Sequence, residues 1–259
     1  MPPNLADNDD APSLNEWLAT VPGIPAGWGV RDNGISILIG CEYSASERDE
    51  FRVRGFDAWS CDLKKSDGDP RWHIQGDIRD AINSRQWDAI ILHVECTAMA
   101  VCGNRHYGYN MPRYGERVEA IGWTIGTVEL ALANAPCVAV ENPSSVIFPI
   151  LRDQFNADVQ YIQPWQHGHP EQKKTGLALW GFPRLKETSN VREYMMTLPR
   201  NQRERIHFMA PSADRGHERS RAFHGISAAM ADQWGNYLLN QPGRIPTDAK
   251  PLSNFHGSE

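Results

Sequence analysis

Residues 35–62 read ISILIGCEYSASERDEFRVRGFDAWSCD, and this stretch decides the fold class. Residues 35–39 form a short apolar run that ends at Gly40. A polar helical segment follows over residues 47–54, and residues 57–61 form a second strand-like run. Buried parallel strands are continuous apolar runs of about this length, and helices connect them. The stretch therefore predicts a strand–helix–strand unit.

The same alternation continues along most of the chain. Long helices are predicted over residues 116–134 and 227–239. Further strands are predicted over residues 72–74, 89–92, 137–140, 159–162 and 176–180. This order is typical of a doubly wound, Rossmann-like α/β sheet. Ligands of such sheets bind beyond the carboxyl ends of the strands, so the site is expected there.

Composition divides the chain into five parts. Residues 1–33 are rich in Pro, Gly, Asp and Asn and are predicted to be a flexible arm. We expect the cofactor and catalytic domain over residues 34–181 and a small, irregular, basic target-binding region over residues 182–222. A closing helix of the catalytic domain over residues 223–240 and an extended tail over residues 241–259 complete the prediction.

The charge of the chain is unevenly distributed. Its 259 residues are 41% hydrophobic, which suits a globular enzyme, and carry a formal net charge of −6. Residues 166–225 alone carry a net +5, so the rest of the chain carries −11. The acidic total therefore does not exclude DNA as a partner, and it favours this segment as the place where DNA binds.

The beginning of the sequence and its cysteines indicate a compartment. There is no signal-peptide pattern and no apolar run of about 18 residues, so a cytoplasmic location is expected. Five cysteines, an odd number, favour free thiols. Cys41, Cys61 and Cys137 lie in or beside strands and are interpreted as core residues. Cys102 is left open, because it follows Cys96 on the same loop.

Polar side chains follow the predicted strand ends, where a cofactor would bind. Asp62 comes 22 residues after Gly40, the spacing by which Rossmann-like folds hold an adenosine ribose. A single glycine cannot cradle a pyrophosphate, so S-adenosylmethionine fits better than a dinucleotide. Asp77 can bind the adenine amino group, although Asp62 and Asp77 can equally be helix caps or loop carboxylates. The predicted cofactor-binding residues are Gly40, Cys41, Glu42, Tyr43, Ser44, Asp62, Leu63, Asp77, Ile78 and His93.

Six segments, taken in order, resemble one protein family. They are residues 37–63 (ILIGCEYSASERDEFRVRGFDAWSCDL), 73–78 (HIQGDI), 87–96 (WDAIILHVEC), 140–147 (VENPSSVI), 163–183 (QPWQHGHPEQKKTGLALWGFP) and 219–234 (RSRAFHGISAAMADQW). Together they resemble the compact DNA cytosine-5 methyltransferase-like proteins of bacteriophages and prophages. The resemblance implies a class I methyltransferase fold, S-adenosylmethionine as donor, a pyrimidine base of DNA as acceptor, and a phage-encoded protein acting in the host cytoplasm.

The chemistry of that reaction fits residues at two strand ends. Carbon 5 of cytosine is a poor nucleophile until a thiolate adds to carbon 6 while an acid protonates N3. Cys96 is the predicted thiolate, and Glu141 is predicted to face N3. Residues 202–205 (QRER) resemble the Gln-x-Arg-x-Arg element of the family, which implies that Arg203 and Arg205 lie near the flipped base. The predicted substrate or DNA contacts are Asn142, Lys173, Lys174 and Gln202.

The sequence departs from the family directly before the nucleophile. The family commonly has Pro-Pro-Cys there, whereas this chain has Val94, Glu95 and Cys96. A neighbouring carboxylate disfavours a thiolate through like charge. Three explanations stay open: another pyrimidine or another transferred one-carbon group, Glu95 acting as an acid or base, or an inactive DNA-binding or anti-restriction protein. The first two together are preferred.

Three other classes of site are weaker alternatives. His93 and Glu95 match the H-x-E of zinc base deaminases, but the second cysteine of P-C-x-x-C is missing after Cys137. His93, Cys96, Cys102 and His106 match no common zinc spacing. A nicotinamide-dependent dehydrogenase is disfavoured by the single glycine of the first turn.

Overall fold

One seven-stranded sheet organises the protein, whose computed structural model describes residues 33–210 and 222–241. The strand order across the sheet is β3-β2-β1-β4-β5-β7-β6. The strands are β1 (Ser36–Gly40), β2 (Asp57–Asp62), β3 (His73–Gln75), β4 (Ala89–His93), β5 (Cys137–Pro143), β6 (Asp158–Ile162) and β7 (Thr175–Trp180). All seven strands predicted from the sequence are present.

The pairing of the strands places β1 near the middle of the sheet. It is parallel to β2 on one side and to β4 on the other, and β3 and β5 extend the parallel part outward. The strand β7 lies between β5 and β6 and is antiparallel to both. The predicted doubly wound, Rossmann-like α/β fold is confirmed, and its assignment to the class I methyltransferases stays what the resemblance implies.

Helices cover both faces of the sheet. They are α1 (Ser46–Arg52), α2 (Ile78–Asn83), α3 (Asn104–Tyr107), α4 (Tyr114–Asn134), α5 (Ile147–Phe155), α6 (Arg192–Thr197), α7 (Arg200–Arg203), α8 (Arg205–Phe208) and α9 (His224–Leu239). The helix α1 packs against α9, and α2 packs against α4. The short helices α2, α3 and α5 are not predicted by the sequence pattern.

Two apolar layers sandwich the sheet, because its strands bury side chains on both faces. On one face Phe51 of α1 and Trp234 of α9 pack beneath β1, and the Trp234 indole donates to the Pro183 carbonyl at 2.9 Å. On the other face Val128 of α4 and Phe148 of α5 form the second layer. Burial on both faces explains why the inner strands β1, β4 and β7 are continuous apolar runs, whereas the edge strands β3 and β6 are partly exposed.

The predicted basic region differs from expectation where it is described. The sequence predicts that residues 182–222 are irregular, yet the described part contains α6, α7 and α8. These helices have only four to six residues, too short for a clear helical period in the sequence. The predicted arm up to residue 32, residues 211–221 and the predicted tail beyond residue 241 lie outside the described residues. The boundaries of the five predicted parts stay predictions.

Whether a helix can cross a membrane depends on its length and on how apolar it is. Of the helices in the described ranges, none is both long enough and apolar enough to cross a bilayer.

Candidate active site

The carboxyl ends of four parallel strands lie side by side. Gly40 at the end of β1 pairs with Cys61 of β2 and with Leu92 of β4. His93, the last residue of β4, pairs with Glu141 of β5. Side chains that are far apart in the sequence therefore meet at this edge, as the sequence predicts for a doubly wound sheet.

A buried histidine joins two carboxylates at the centre of this edge. The His93 Nε2 lies 2.8 Å from Oε2 of Glu47 in the first turn of α1. The His93 Nδ1 lies 3.3 Å from Oε2 of Glu141. The Glu47 side chain is 1% exposed, and those of His93 and Glu141 are 15% and 17% exposed. The arrangement is a carboxylate–imidazole–carboxylate array shielded from water.

The charges of the array reinforce each other. Burial opposes the imidazolium, but the charge and hydrogen bonds of Glu47 and Glu141 raise the pKa of His93 well above its ordinary value of 6.5. Burial likewise opposes ionisation of Glu141, yet the hydrogen bond and charge of His93, followed by the charge of Lys173, lower the pKa of Glu141. At neutral pH the histidine is therefore a cation and Glu141 is ionised.

A third buried carboxyl lies beside this array. Burial and then the charge of Glu47 raise the pKa of Glu42 to about 7. The Glu42 Oε1 accepts from the Ser44 hydroxyl at 2.9 Å and from the backbone amide of Glu47 at 3.2 Å. Its Oε2 is buried without a hydrogen-bond partner. Glu42 thus carries an acceptor oxygen that nothing in the described protein satisfies.

The turn after β4 holds Cys96 and is fixed to the turn after β5. The Asn142 amide donates to the Val94 carbonyl at 2.8 Å, and the Val101 amide donates to the Ser144 carbonyl at 2.9 Å. The Cys96 carbonyl accepts from the Ala100 amide at 2.8 Å. These contacts place the partly exposed Cys96 on a turn that is bound to the segment following Glu141.

Glu95 has a structural partner within the same turn. Its carboxylate accepts from the Thr97 amide at 2.6 Å and from the Ala98 amide at 3.4 Å. A side-chain acceptor that binds amides two and three residues ahead fixes the turn much as a helix cap does. Glu95 therefore supplies backbone restraint at a position where the resembling family has proline.

A cavity of about 520 Å³ borders the turn after β4. Glu95 and Thr97 line it from the turn, and Tyr107, Arg113 and Trp123 line it from α3 and α4. Small-molecule and cofactor sites have volumes of roughly 300–1,000 Å³. The space is thus large enough for a nucleotide-sized group beside the turn that carries Cys96.

The first predicted cofactor residues form the turn between β1 and α1. Cys41 has a left-handed φ of 58°, and the amide of Glu42 donates to the Cys61 carbonyl at 3.1 Å. The Tyr43 carbonyl accepts from the Asp67 amide at 2.8 Å, which ties this turn to the loop after β2. A Cβ on Gly40 would lie 2.5 Å from Cδ1 of Ile78, so this glycine serves the packing of the buried Ile78.

The predicted adenosine-binding acids lie next to each other at the ends of β2 and β3. The Gly76 amide donates to the Asp62 carbonyl at 3.0 Å. The Asp62 carboxylate accepts from the Lys64 amide at 2.8 Å, and the neighbouring Leu63 is 74% exposed. Asp77 caps α2 through the Arg79 amide at 2.9 Å and also forms an ion pair with the Arg79 guanidinium. Asp77 therefore has the capping role that was its alternative interpretation.

The predicted basic residues divide into two groups. Lys173 lies close enough to Glu141 to lower its pKa, and Lys174 lies over the ring of Tyr161 with Nζ 4.2 Å from the centroid. Arg205 pairs with Glu171 at 3.2 Å, and the Arg203 carbonyl accepts from the Gln172 amide at 2.6 Å. The Arg205 side chain and the Arg203 carbonyl thus contact the loop after β6, whereas the Arg203 guanidinium donates to Sδ of Met196 in α6 at 3.6 Å. The neighbouring Gln202 is exposed.

The cysteines differ in their surroundings. Cys41, Cys61, Cys102 and Cys137 form no disulfide in the described residues. Cys61 and Cys137 are buried, and Cys41 is partly buried. Burial, followed by the charge of Asp62, raises the pKa of both Cys41 and Cys61 to about 12, which disfavours a nucleophilic role. Cys102 is exposed. Within residues 33–210 and 222–241, no three His, Cys, Asp or Glu side chains are arranged to hold a metal ion.

Glu47, the most deeply buried acid of the site, is not among the residues predicted from the sequence. An acid in the first turn of a helix is common, because its negative charge interacts favourably with the helix dipole. The position of Glu47 in the sequence therefore does not by itself indicate a role in the site. His93 was predicted as a cofactor contact, and its two hydrogen bonds to carboxylates were not foreseen. The available signal was a glutamate one residue after the start of the helix that follows the glycine turn.

The comparisons with known proteins give a limited similarity. No protein-family model matches the sequence, and no curated protein matches it. A solved structure of the methyltransferase EhMeth from Entamoeba histolytica is 11% identical, with a TM-score of 0.41 over 60% of this chain and 57% of that one. The S. pombe Dnmt2 methyltransferase is 10% identical, with a TM-score of 0.41 over 78% of this chain and 66% of that one.

A candidate DNA modification methyltransferase encoded within prophage Cp of E. coli is also similar. It is 11% identical, with a TM-score of 0.34 over 64% of this chain and 56% of that one. The chain thus spans somewhat more than half the length of EhMeth and of this prophage protein. Similarity of this extent says nothing about the reaction, which must be argued from the site.

Proposed function

We propose that the protein is an S-adenosylmethionine-dependent transferase that modifies carbon 5 of a pyrimidine, with cytosine as the expected base, in DNA. One observation carries the proposal. Cys96 lies in a turn that hydrogen bonds to Asn142 of β5 and to Ser144 just after it, while Glu141, near the end of β5, lies beside His93 of β4. A nucleophile and an acid–base group thus lie on adjacent strand ends, as covalent catalysis with general acid assistance requires.

Each catalytic residue has a definite task in this proposal. The Cys96 thiolate adds to carbon 6, while Glu141 delivers a proton to N3, and this makes carbon 5 nucleophilic. When bound, S-adenosylmethionine supplies the electrophilic methyl group. The carbon 5 proton then passes to solvent, the N3 proton returns to Glu141, and elimination of the Cys96 thiolate releases the product. The target base has to leave the duplex to reach Cys96.

The residues at the first two strand ends fit S-adenosylmethionine better than a phosphate-bearing cofactor. The unsatisfied, buried Oε2 of Glu42 is an acceptor for an ammonium or hydroxyl group. The carboxylate of Asp62 and the exposed side chain of Leu63 suit a ribose and an adenine ring. Asp77 would contribute to this site only if its ion pair with Arg79 opened. A carboxylate-rich donor set repels phosphates and suits a sulfonium with a free amino group.

Glu95 supports activity in this proposal by fixing the turn. Its hydrogen bonds to the Thr97 and Ala98 amides replace the restraint that proline gives in the resembling family. The arginines Arg203 and Arg205, Lys174 and Gln202 are proposed to contact DNA around the site. Lys173, whose charge lowers the pKa of Glu141, is proposed to bind a phosphate of the flipped nucleotide.

The test is methyl transfer to DNA measured by mass spectrometry of the released nucleosides. The wild type is expected to give a methylated pyrimidine from methyl-labelled S-adenosylmethionine. Cys96→Ser is expected to reduce the rate at least ~10³-fold, on the order of the effect of removing other covalent nucleophiles. Cys102→Ser is the matched control, because Cys102 lies on the same loop, and it should keep wild-type activity.

A wild type that modifies no DNA base would contradict the proposed reaction. It would leave the inactive, DNA-binding alternative standing. An equal loss of activity in Cys96→Ser and Cys102→Ser would argue against Cys96 as the nucleophile and for damage to the loop.

Thermal stability distinguishes the cofactor classes. S-adenosylhomocysteine at about 100 times its dissociation constant should stabilise the folded protein by about 2.7 kcal/mol. That corresponds to a rise in Tm of roughly 5–10 °C for a protein of this size. NAD is the matched control and should leave Tm unchanged. Stabilisation by NAD alone would favour the dehydrogenase alternative instead.

A further inference from the structure

The buried array of Glu47, His93 and Glu141 has a geometry that fixes protons. Both ring nitrogens of His93 face a carboxylate oxygen, at 2.8 Å on the Glu47 side and 3.3 Å on the Glu141 side. A neutral imidazole has only one N–H and can donate to only one of them. The array therefore needs one proton more than a neutral histidine and two carboxylates would carry together. The charges of Glu47 and Glu141 favour the ring as its place, because they raise the pKa of His93.

The surroundings of His93 keep this proton in place. Glu47 comes from α1 and Glu141 from β5, so the two anions hold the ring from opposite sides. Glu42 faces Glu47 from the turn after β1, and Lys173 acts on Glu141 from the loop before β7. Charges interact more strongly in this largely buried setting than in water, so the two carboxylates hold the cation firmly.

Glu141 is ionised at rest but needs a proton to act as a general acid, and His93 can supply that proton. Its neighbours His93 and Lys173 favour the ionised carboxylate, yet a general acid has to carry a proton when the thiolate attacks. The nearest proton is the one on Nδ1 of His93, which already points at Oε2 of Glu141. A proton that moves along this hydrogen bond converts Glu141 into the acid that N3 needs.

We propose that Glu47 and His93 are positioning residues that form a proton relay behind Glu141, storing on His93 the proton that Glu141 passes to N3 of the base. The inference rests on the proposed function. In the relay, the Nδ1–H bond of His93 breaks and an O–H bond forms on Glu141. That O–H bond then breaks as the N3–H bond forms. His93 is left neutral and keeps its Nε2–H bond to Glu47, and the proton returns by the same route when the thiolate leaves.

The first experiment measures the relay without any reaction. The ¹⁵N shifts of the His93 ring, assigned by comparison with His93→Gln, report its protonation between pH 6 and pH 9. In the wild type both nitrogens are expected to be protonated at pH 8. In Glu47→Gln the ring is expected to be neutral at pH 8, because one of its two anions is gone. A neutral ring at pH 8 in the wild type would overturn the proposal.

The second experiment measures methyl transfer against pH. Glu47→Gln is expected to move the alkaline limb of kcat to lower pH by about one unit and to lower kcat about tenfold at pH 8.5, with little change in KM for S-adenosylmethionine. Glu50→Gln, on the same helix but paired with Arg54, is the matched control and should keep the wild-type profile. An unchanged limb in Glu47→Gln would also overturn the relay.

The two experiments separate the inference from the function on which it rests. A wild type that transfers no methyl group would overturn the proposed function and the transfer to N3 with it. The ring-nitrogen shifts decide in either case whether the buried imidazolium exists.

Discussion

At the scale of single residues, the site is dominated by buried ionisable groups. Glu42, Glu47, His93 and Glu141 come from the ends of three strands and the start of one helix. Burying a charge is costly unless the charge is paired. The ionisation of each of these groups therefore depends on the charged groups next to it. Glu42 is the exception, because burial and a like charge hold its pKa near 7.

Glu42 makes folding stability depend on pH. Its pKa is raised from 4.5 to about 7, so between these values the folded state binds more protons than the unfolded state. Protonated Glu42 therefore contributes about 2–3 kcal/mol to the free energy of unfolding at low pH, and this contribution is lost as the pH rises from 4.5 through 7. Glu42→Gln removes this loss. The unfolding free energy of Glu42→Gln minus that of the wild type should therefore be about 2–3 kcal/mol larger at pH 8 than at pH 4.5. Urea denaturation at the two pH values measures this difference.

The control for this prediction is Glu129→Gln, which changes an exposed glutamate of α4. Its effect on stability should be the same at both pH values. A Glu42→Gln variant whose effect does not depend on pH would show that Glu42 ionises normally.

At the scale of elements, close packing fixes the site edge. The strand β1 ends at Gly40, and the first residue of α2, Ile78, packs directly over it. Any side chain at position 40 would collide with Ile78 and with Leu92 of β4. The glycine turn therefore sets how closely α2 approaches the sheet, in addition to shaping the turn toward α1.

Gly40→Ala is expected to destabilise the protein. The new Cβ would lie 2.5 Å from Ile78 and 2.8 Å from Leu92, and overpacking of this kind costs about 1–3 kcal/mol. Gly122→Ala is the opposite case: the site is an open position on α4, and alanine should stabilise the helix by roughly 0.5–1 kcal/mol. Chemical denaturation measures both. Equal effects of the two substitutions would refute the packing argument.

At the scale of the whole molecule, acidic and basic side chains are concentrated in different parts of the sequence. The acidic residues of the site lie at the strand ends, whereas residues 166–225 carry the excess of basic side chains. Lys173 connects the two, because it belongs to the basic segment yet acts on Glu141. A nucleic-acid strand that bound along the basic segment would thus be attracted toward the part of the site that holds Glu141 and His93.

Lys173 and Lys174 should contribute to the salt dependence of DNA binding. Replacing both by glutamine is expected to reduce the slope of log K against log salt by about 0.9 for each phosphate that the variant no longer neutralises. Titration of a fluorescent duplex at several salt concentrations measures this slope. Arg85→Gln is the control, because Arg85 pairs with Asp57 at the start of β2, on the opposite edge of the sheet. An unchanged slope in the lysine variant would place the DNA elsewhere.

The apolar runs predicted the inner strands β1, β4, β5 and β7 directly, because these strands are buried on both faces. The edge strands β3 and β6 were also predicted, although they are only partly buried. The short helices α2, α3 and α5–α8 escaped prediction, since a helix of four to nine residues shows few periods of its pattern. The position of Cys96 and Glu141 at strand ends followed directly from those runs. Their distance from each other depended on which strands were neighbours.

The sequence by itself determined the α/β class, the strand positions and the placement of polar residues after the strands, because these depend on local apolar patterns. Only the tertiary structure decided that β7 reverses between β5 and β6. It alone also showed that Glu47 and His93, 46 residues apart, form a hydrogen bond. Contacts of that range depend on strand order and on how a helix packs over the sheet, which local patterns do not specify. The proton array therefore belongs to the fold, although its residues were visible in the sequence.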